Sequence, residues 1–315
     1  MKMLFIFLDG VGLGPDDPKT NPFALVNMPN LQGLLGGHKL VADGSRDRAL
    51  LNTQFASLTA IDATMGIEGI PQSATGQAAL LTGQNVPARL GEHEGPKPTA
   101  PIMDMIAEGT VFSQLRQRDR AVTLVNAFPR RYFESIARGY RLPGVIAYAA
   151  QQAGMHLHTQ EDLYEGKAIS ADFSGEGWRN HLGYADAPIL SLEQAGQRLN
   201  SLTEQSDLCV FEYWLTDVAG HHQDAMAARS ILETLDEVIG SLAKSMDAEH
   251  TLIILTSDHG NLEDISHRHH TLNDVPLLLI GSQKSRDGFL KGLNGTGRSK
   301  LDLTDIGPAM ESFIG

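Results

Sequence analysis

The stretch Thr251-Leu-Ile-Ile-Leu-Thr-Ser-Asp-His-Gly-Asn-Leu-Glu263 decides the fold of this 315-residue chain. Its apolar first half predicts a buried parallel strand, because a helical pattern precedes it. The strand would end on Asp258 and His259, which can both bind a metal, at the position where open α/β sheets hold their ligands. The alternative for this stretch alone is an N-cap Asp beside a surface His.

Composition and charge limit the possible functions. The chain is 42% hydrophobic and 20% charged, which is typical of a globular protein. Its length predicts one main domain with a sizeable insertion, or two domains. A formal net charge of −13 argues against nucleic acid or an anionic membrane as partner. A small anionic substrate stays possible, because bound metal ions can reverse the local sign.

Cysteine content and hydropathy bear on the compartment. The single cysteine, Cys209, excludes an internal disulfide and fits a reduced, cytoplasmic setting. No stretch approaches the length of a transmembrane helix. The sequence gives no indication of the oligomeric state.

The first strand predicts a second candidate site. Met3–Leu8 is an apolar run that ends on Asp9-Gly-Val-Gly-Leu-Gly14. One interpretation is a dinucleotide-binding loop, but the glycine fingerprint is incomplete and no helical pattern follows at once. The other is a carboxylate, Asp9, at a strand end, with glycines that let the backbone turn sharply around a site. We favour the second interpretation.

Thr75 lies where a Gly/Pro-rich loop gives way to the helix-forming run Gln77–Leu81. Its ordinary role would be the N-cap of that helix, which the preferences of the loop alone favour. Its functional role would be a nucleophile or a phosphate-facing hydroxyl, since free backbone N–H groups and the helix dipole favour anions there.

The middle of the chain differs in composition from its two ends. A Pro/Gly-rich stretch, residues 91–101, predicts a crossing between domains. We expect residues 95–187 to form a smaller inserted cap, and residues 1–94 with 188–315 to form the catalytic core. The cap is rich in arginine, which would suit an anionic substrate, although each arginine could equally be solvated surface.

Further metal-competent residues lie beside two more predicted strands. The buried strand at 207–215 is followed by Asp217 and His221, whose spacing of four places both on one face of a helical turn. A cluster of histidines, of which one would be a ligand, precedes the apolar strand near 275–280: His267, His269 and His270.

The fold class that these patterns predict is α/β, with a mostly parallel central sheet flanked by helices. At the carboxyl ends of its strands it would gather Asp9, Asp217, His221, Asp258, His259 and one of the three histidines. Mixed Asp/His ligation suits zinc or manganese, and so many ligands suit two ions. Two ions can polarise a phosphoryl oxygen and activate a hydroxyl nucleophile, for which Thr75 is the candidate.

Five motifs in this order resemble the alkaline phosphatase superfamily, and more closely its branch with cofactor-independent phosphoglycerate mutase and phosphopentomutase. They lie in the two outer parts of the chain: Phe7-Leu-Asp-Gly10, Ser73-Ala-Thr-Gly-Gln77, Asp217-Val-Ala-Gly-His221, Ser257-Asp-His-Gly-Asn261 and His270-Thr-Leu-Asn-Asp-Val-Pro276. By this resemblance one metal would be held by Asp9, Asp258, His259 and the Thr75 oxygen. The other would be held by Asp217, His221 and His270.

The resemblance implies a two-metal phosphatase or phosphomutase that acts on a small phosphomonoester through a phospho-threonine intermediate. Manganese would follow the mutases and zinc the phosphatases. A sulfatase is disfavoured, because no cysteine stands at the nucleophile position. Two other functions remain as alternatives: a nucleotide-binding α/β protein that uses the Gly10–Gly14 loop, and a catalytically silent metal-binding module.

Overall fold

A central sheet organises the structure, a computed structural model that describes residues 1–42, 51–294 and 300–315. The described residues form seven strands, which in chain order are β1 (Lys2–Leu8), β2 (Leu51–Asn52), β3 (Ala56–Ile61), β4 (Val122–Leu124), β5 (Leu208–Tyr213), β6 (Thr251–Thr256) and β7 (Val275–Ile280). Their order across the sheet is β2-β3-β7-β6-β1-β5-β4. The first strand of the chain therefore lies between two strands from its last third.

The sheet is mixed, so the prediction of a mostly parallel sheet is wrong. The pairs β1·β5, β1·β6 and β4·β5 are parallel, whereas β2·β3, β3·β7 and β6·β7 are antiparallel. A strand buried on both faces is apolar throughout, so its sequence does not record its direction. The connection from β6 to β7 does indicate antiparallel pairing, because it contains no helix and a parallel crossover usually needs one.

Helices cover both faces of this sheet, as expected for an α/β protein. In chain order the described helices are α1 (Pro22–Leu25), α2 (Pro29–Leu34), α3 (Ser73–Thr82), α4 (Val86–Leu90), α5 (Ala100–Glu108), α6 (Val111–Gln117), α7 (Arg130–Ala137), α8 (Val145–Gln152), α9 (Gln160–Tyr164), α10 (Glu176–Asn180), α11 (Leu192–Glu204), α12 (Leu215–His222), α13 (Ala225–Ser245), α14 (Gln283–Asn294), a 3₁₀ turn at Leu303–Asp305 and α15 (Ile306–Ile314). Among the described residues, no helix combines the length and hydropathy needed to cross a membrane.

Alternation along the central strands produces two apolar layers. Phe5 and Phe7 on β1 pack into one cluster with residues of α3, α5, α6, α8 and α15. Leu4 and Ile6 point to the other face and pack with residues of α2, α11 and α13. Successive strand residues face opposite sides of a sheet, so a strand buried between two helical layers is apolar at every position. The result is a three-layer structure.

The segment 95–187, expected as an inserted cap, contributes to this main core. Its strand β4 pairs with β5, and Ile102, Leu115 and Ile146 belong to the same apolar cluster as β1. A smaller apolar cluster lies wholly within the segment: Ala127, Leu163, Ala168, Trp178 and Ala187. A separate cap domain is thus not shown, and the domain boundaries stay a prediction.

Candidate metal centre

One edge of the sheet gathers the predicted metal ligands. Asp9 follows β1, while Asp258 and His259 follow β6. Asp217 lies in the first turn of α12, directly after β5. We had expected His270 to lie at the carboxyl end of a strand, but it precedes β7. It reaches the same edge because β7 is antiparallel to β6, which places the amino end of β7 beside the carboxyl ends of the others.

Asp9, Asp258 and His259 form the first group of candidate ligands, with one ligand atom from each lying within 4.8 Å of the others. His259 Nε2 lies 3.4 Å from Asp9 Oδ1 and 3.6 Å from Asp258 Oδ2. Asp258 and His259 are fully buried. The alternative of an N-cap Asp beside a surface His is therefore wrong.

Asp217, His221 and His270 form a second group beside the first. His221 Nε2 lies 3.1 Å from Asp217 Oδ2 and 3.2 Å from His270 Nε2, while His270 Nε2 lies 3.7 Å from Asp217 Oδ1. The rings of His259 and His270 stack with centroids 3.7 Å apart, which joins the two groups. His270 is buried, whereas His222, His269 and the predicted ligand His221 are exposed.

The imidazoles of these groups are oriented by backbone carbonyls. His221 Nδ1 lies 2.8 Å from the Arg268 carbonyl oxygen, and His270 Nδ1 lies 2.8 Å from the Pro71 carbonyl oxygen. A carbonyl only accepts hydrogen bonds, so each Nδ1 carries a proton, and a neutral ring then presents the lone pair of its Nε2. The two Nε2 atoms lie 3.2 Å apart beside Asp217. This arrangement fits a divalent cation, because metal-bound histidines are oriented in the same way.

Electrostatics at the first group also favour a cation. Burial, followed by the negative charge of Asp258, raises the pKa of Asp9 well above its usual value. Burial lowers the pKa of His259, but the carboxylates of Asp258 and Asp9 outweigh it and raise that pKa to about 10. Burial and the neighbouring His259 lower the pKa of His270 to about 4. Asp9 Oδ1 is buried and accepts no hydrogen bond from the described residues. The residues present therefore fit bound divalent metal.

Helix α3 faces this centre with Ser73 and Gln77, which sequence reasoning did not single out. Ser73 Oγ lies 3.0 Å from His259 Nε2, and Gln77 Nε2 donates to Asp258 Oδ2 at 3.0 Å. The two residues are four apart and share one face of the helix. The signal was present in the sequence, but we expected the helix to begin near Gln77, whereas it begins at Ser73.

Thr75 lies between these two residues and its hydroxyl points elsewhere. Its Oγ1 lies 3.1 Å from the Gln72 carbonyl oxygen and 3.3 Å from that of Glu94. Among the described residues, these backbone groups and the Glu94 amide are its hydrogen-bond partners. The N-cap of α3 is Gln72, so the N-cap interpretation of Thr75 is wrong. The structure brings the six Asp and His residues predicted as ligands together, but not the Thr75 hydroxyl.

The Glu263 carboxylate connects the loops that carry these candidate ligands through hydrogen bonds. Its fully buried carboxylate accepts from the backbone N–H groups of Gly12 and Asn261, both at 2.8 Å. It also accepts from the Thr271 hydroxyl, and from Asn273 Nδ2 at 3.0 Å. Charge-assisted hydrogen bonds of this kind hold loops more firmly than neutral ones. Glu263 was missed in the sequence, where a glutamate seven residues after a strand carries no particular signal.

The glycine loop after β1 encloses this glutamate. A Cβ on Gly12 would clash with the Glu263 carboxylate, and one on Gly14 would lie 2.8 Å from Glu263 Cγ. The first helix after the loop, α1, begins only at Pro22. The space that a pyrophosphate would need is thus filled by a carboxylate. The nucleotide-binding interpretation of this loop is therefore contradicted, and the interpretation of a sharp turn around a site agrees with the structure.

Ionisable groups of the predicted cap segment approach the centre. Glu212 on β5 has a pKa raised to about 7, mainly by burial, while Lys97 and Arg141 act to lower it. Partial burial and, after it, the charge of Arg141 lower the pKa of Lys97. The Arg141 guanidinium lies 5.3 Å from the centre of the Tyr132 ring, a cation–π distance. Lys97 and Arg141, both from the arginine-rich segment, therefore act to lower the pKa of the same carboxylate, Glu212, at this edge of the sheet.

Comparisons with known proteins show which class of protein the chain resembles. Residues 182–315 match the family model of the Metalloenzyme superfamily. The 2,3-bisphosphoglycerate-independent phosphoglycerate mutases of Methylobacillus flagellatus and Natronomonas pharaonis are 30% and 32% identical over 41% and 51% of this chain. The matched parts span only 25% and 32% of those relatives.

Two solved structures share the fold over nearly the whole chain. The PH0037 protein of Pyrococcus horikoshii has a TM-score of 0.56 at 14% identity, covering 99% of this chain and 96% of that protein. The alkaline phosphatase of the Antarctic bacterium TAB5 has a TM-score of 0.52 at 12% identity, with 99% and 97% covered. These likenesses concern the fold alone.

The predicted resemblance is confirmed: the chain resembles the Metalloenzyme superfamily over residues 182–315, and its fold is alkaline phosphatase-like. It is also distantly similar to cofactor-independent phosphoglycerate mutase. The match implies divalent metal ions, for which the structure offers the candidate groups described above.

Proposed function

We propose that this protein is a divalent-metal-dependent phosphoryl-transfer enzyme, a phosphatase or phosphomutase, that acts on a small phosphomonoester. The observation that carries the proposal is the convergence of three carboxylates and three imidazoles at one edge of the sheet, with a helix hydroxyl hydrogen-bonded to one of the imidazoles. Structural metal sites have closed ligand sets, whereas this set adjoins the hydroxyl of Ser73.

Two ions would divide the ligands between them. One would be held by Asp9, Asp258 and His259, and the other by Asp217, His221 and His270, as the resemblance implies. When bound, such ions polarise a phosphoryl oxygen and favour the ionised form of a nearby hydroxyl. Gln77, hydrogen-bonded to Asp258, and the carbonyls that accept from His221 and His270 would keep the ligands oriented. Manganese and zinc both suit these donors.

We place the nucleophile on α3 and favour the Ser73 hydroxyl over that of Thr75. Ser73 Oγ contacts His259, whereas the Thr75 hydroxyl bonds the backbone of Gln72 and Glu94. In the first step the hydroxyl oxygen forms a bond to phosphorus and releases its proton to solvent. The ester P–O bond breaks, and the leaving oxygen takes a proton from water. In the second step, water or another substrate hydroxyl attacks the phospho-enzyme and restores the free hydroxyl.

Lys97 and Arg141 would bind the anionic groups of the substrate. Both cations act electrostatically on Glu212 at the same edge of the sheet, and Arg141 is exposed. An Arg141→Ala variant is expected to raise KM about tenfold or more with little change in kcat, because a contact made equally in the ground and transition states affects binding alone. Steady-state kinetics measure this, with exposed Arg138→Ala as the control. A drop in kcat at constant KM would contradict a binding role.

The experiment that tests the function combines metal analysis and turnover on one sample. Elemental analysis gives the ions per chain, and a generic aryl phosphate gives turnover with and without chelator. About two manganese or zinc ions per chain with chelator-sensitive turnover would support the proposal. Product analysis then separates release of phosphate from transfer to an added hydroxyl acceptor.

Two other outcomes would count against the proposed function. Metal without turnover on aryl phosphates, or on a panel of phosphomonoesters with candidate acceptors, would favour the catalytically silent metal-binding module. Absence of bound metal after incubation with Mn²⁺ and Zn²⁺ would contradict the metal assignment itself.

A further inference from the structure

A second cluster of metal-competent side chains lies away from the centre described above. His156, His158 and Asp162 each offer one ligand atom, and these atoms lie within 4.8 Å of one another. None of the three takes part in the proposed metal centre. The cluster lies in the connection between α8 and α9 and in the first turn of α9.

The geometry of the cluster matches a metal site. His156 Nε2 lies 2.8 Å from Asp162 Oδ2, and His158 Nδ1 lies 3.6 Å from the same oxygen. Zinc–nitrogen and zinc–oxygen bonds are near 2.1 Å, so the ligand atoms of a tetrahedral site stand roughly 3.3–3.5 Å apart. The observed separations lie on either side of this value. The rings of His156 and His158 lie edge to face with their centroids 5.2 Å apart.

His158 supplies the observation that points to a ligand. Its Nδ1 atom is buried and makes no hydrogen bond within the described part of the chain. Its other nitrogen, Nε2, lies 3.1 Å from the Thr123 hydroxyl on β4. Burial, the largest influence, lowers the pKa of His158, which favours the neutral form that binds metals. A buried nitrogen that makes no hydrogen bond is costly, and a cation between it and the Asp162 carboxylate 3.6 Å away would satisfy both groups.

The surroundings hold the three side chains in place. Asp162 Oδ2 accepts from the Thr159 backbone N–H at 2.8 Å, as part of the capping box that begins α9. The His158 carbonyl accepts from the Phe128 N–H at 2.8 Å, and the alternating residues Met155 and Leu157 are buried. Partners of this kind orient ligands at known metal sites. His156 is exposed, so an ion can enter from solvent.

We propose that His156, His158 and Asp162 bind one divalent transition-metal ion of the zinc class. Two imidazoles and one carboxylate prefer zinc, nickel, copper or cobalt over magnesium or calcium. Three protein ligands leave a fourth position to water. The ion would fix the α8–α9 connection to the start of α9 and, through Thr123, to the edge strand β4. The proposal is independent of the proposed phosphoryl-transfer function.

Zinc binding to the untagged full-length protein tests the proposal. The metal-free wild type and its variants are dialysed against buffered Zn²⁺, and the ions per chain are counted by elemental analysis. His156→Ala and Asp162→Asn are each expected to bind one ion fewer than the wild type. Asp162→Asn keeps an oxygen that can accept the Thr159 cap bond, and His156 is exposed, so both variants are expected to fold.

A matched control is available in the same chain. His250 and Asp247 form an exposed pair with the same 2.8 Å separation, but no third ligand adjoins them among the groups found in the described residues. His250→Ala is expected to lose no ion. Asp258→Asn is expected to lose metal from the main centre while keeping the ion at His156, so failure of one site is distinguishable from failure of the other.

Two outcomes would overturn the proposal. If His156→Ala binds as many ions as the wild type, the cluster is an ordinary ion pair that caps α9. If His156→Ala and His250→Ala lose equal amounts, the zinc is bound nonspecifically by surface imidazoles. Cobalt substitution provides a second readout: visible absorption of a tetrahedral Co²⁺ site should persist in Asp258→Asn and weaken in His158→Ala.

Discussion

Ser73 and Thr75 lie two residues apart on α3, and their hydroxyls have different surroundings. Ser73 shares a helix face with Gln77 and meets His259, whereas Thr75 lies on another face and bonds the backbone. Positions two apart on a helix do not face the same way. The helix face on which each residue lies therefore determines which hydroxyl can take part in the proposed chemistry.

Ser73→Ala is expected to lower kcat by at least about 1000-fold, because removal of a nucleophile leaves only binding and electrostatic contributions. Thr75→Ala is expected to retain turnover within about tenfold of the wild type. Steady-state kinetics on a substrate found by the activity screen measure both, with circular dichroism as the check on folding. Mass spectrometry of acid-quenched enzyme should locate the phosphate on residue 73, and a phosphate on residue 75 would restore the assignment made from the sequence.

Glu212 supplies a pH-dependent contribution to stability. Its pKa rises to about 7 in the folded chain, first through burial, so the folded state holds its proton where the unfolded state has lost it. The resulting cost is absent below about pH 4.5, grows as the pH rises to about 7 and is constant above. Asp258 adds to the shift, and Lys97 and Arg141 reduce it.

A Glu212→Gln variant of the metal-free protein should therefore be more stable than the wild type above pH 7. We expect a difference on the order of 1–2 kcal/mol, since partial exposure reduces the desolvation cost. Denaturant titrations at pH 5, 6, 7 and 8 measure it, and the difference should shrink as the pH falls. A gap that is the same at every pH would contradict the raised pKa.

At the scale of elements, the centre depends on which ends of the strands meet. The sequence predicted β1, β5, β6 and β7 as buried strands, and it predicted that Asp9, Asp217, Asp258 and His259 would follow three of them. These predictions needed only apolar runs that stop on polar residues. The direction of β7 could not be predicted from its own residues, and neither could the start of α3, where Gln72 caps without a side-chain hydrogen bond. Ser73 was missed because of that boundary.

The contact between the glycine loop and Glu263 can be tested directly. Gly12→Ala would place a Cβ against the buried Glu263 carboxylate and displace it from the groups it binds. We expect the free energy of unfolding to fall by about 2–4 kcal/mol, from overpacking and loss of charged hydrogen bonds. Gly33→Ala on α2, which has open space around it, should change stability by less than about 1 kcal/mol. Denaturant unfolding of both variants measures this, and equal effects would show that the contact is unimportant.

For the whole molecule, the ligands come from segments that are far apart in the chain. Asp9 and His270 are separated by most of the described sequence, so the proposed centre exists only in the folded protein. A ligand that binds the folded state alone stabilises it by about 2.7 kcal/mol at one hundred times its dissociation constant. For a protein of this size, that corresponds to a rise in Tm of about 4 °C.

The midpoint temperature of thermal unfolding should therefore rise when Mn²⁺ or Zn²⁺ is added, and fall again when chelator is added. Asp258→Asn should reduce the rise, because it removes one charged ligand from the first group. Ca²⁺ at the same concentration is the control, since it prefers sites made of oxygen ligands. A Tm that does not respond to any transition metal would contradict the assignment of the six residues.

The position of β1 between β5 and β6 has a consequence for synthesis of the chain. Both neighbours of β1 are made some two hundred residues later, so the apolar run at Met3–Leu8 has no partner while they are being translated. At about 5–20 residues per second, the ribosome needs roughly 10–50 s to supply them. During that time a strand meant to be buried on both faces is exposed to other chains in the cell. We therefore expect the nascent protein to depend on chaperones more than its stability, once folded, would suggest.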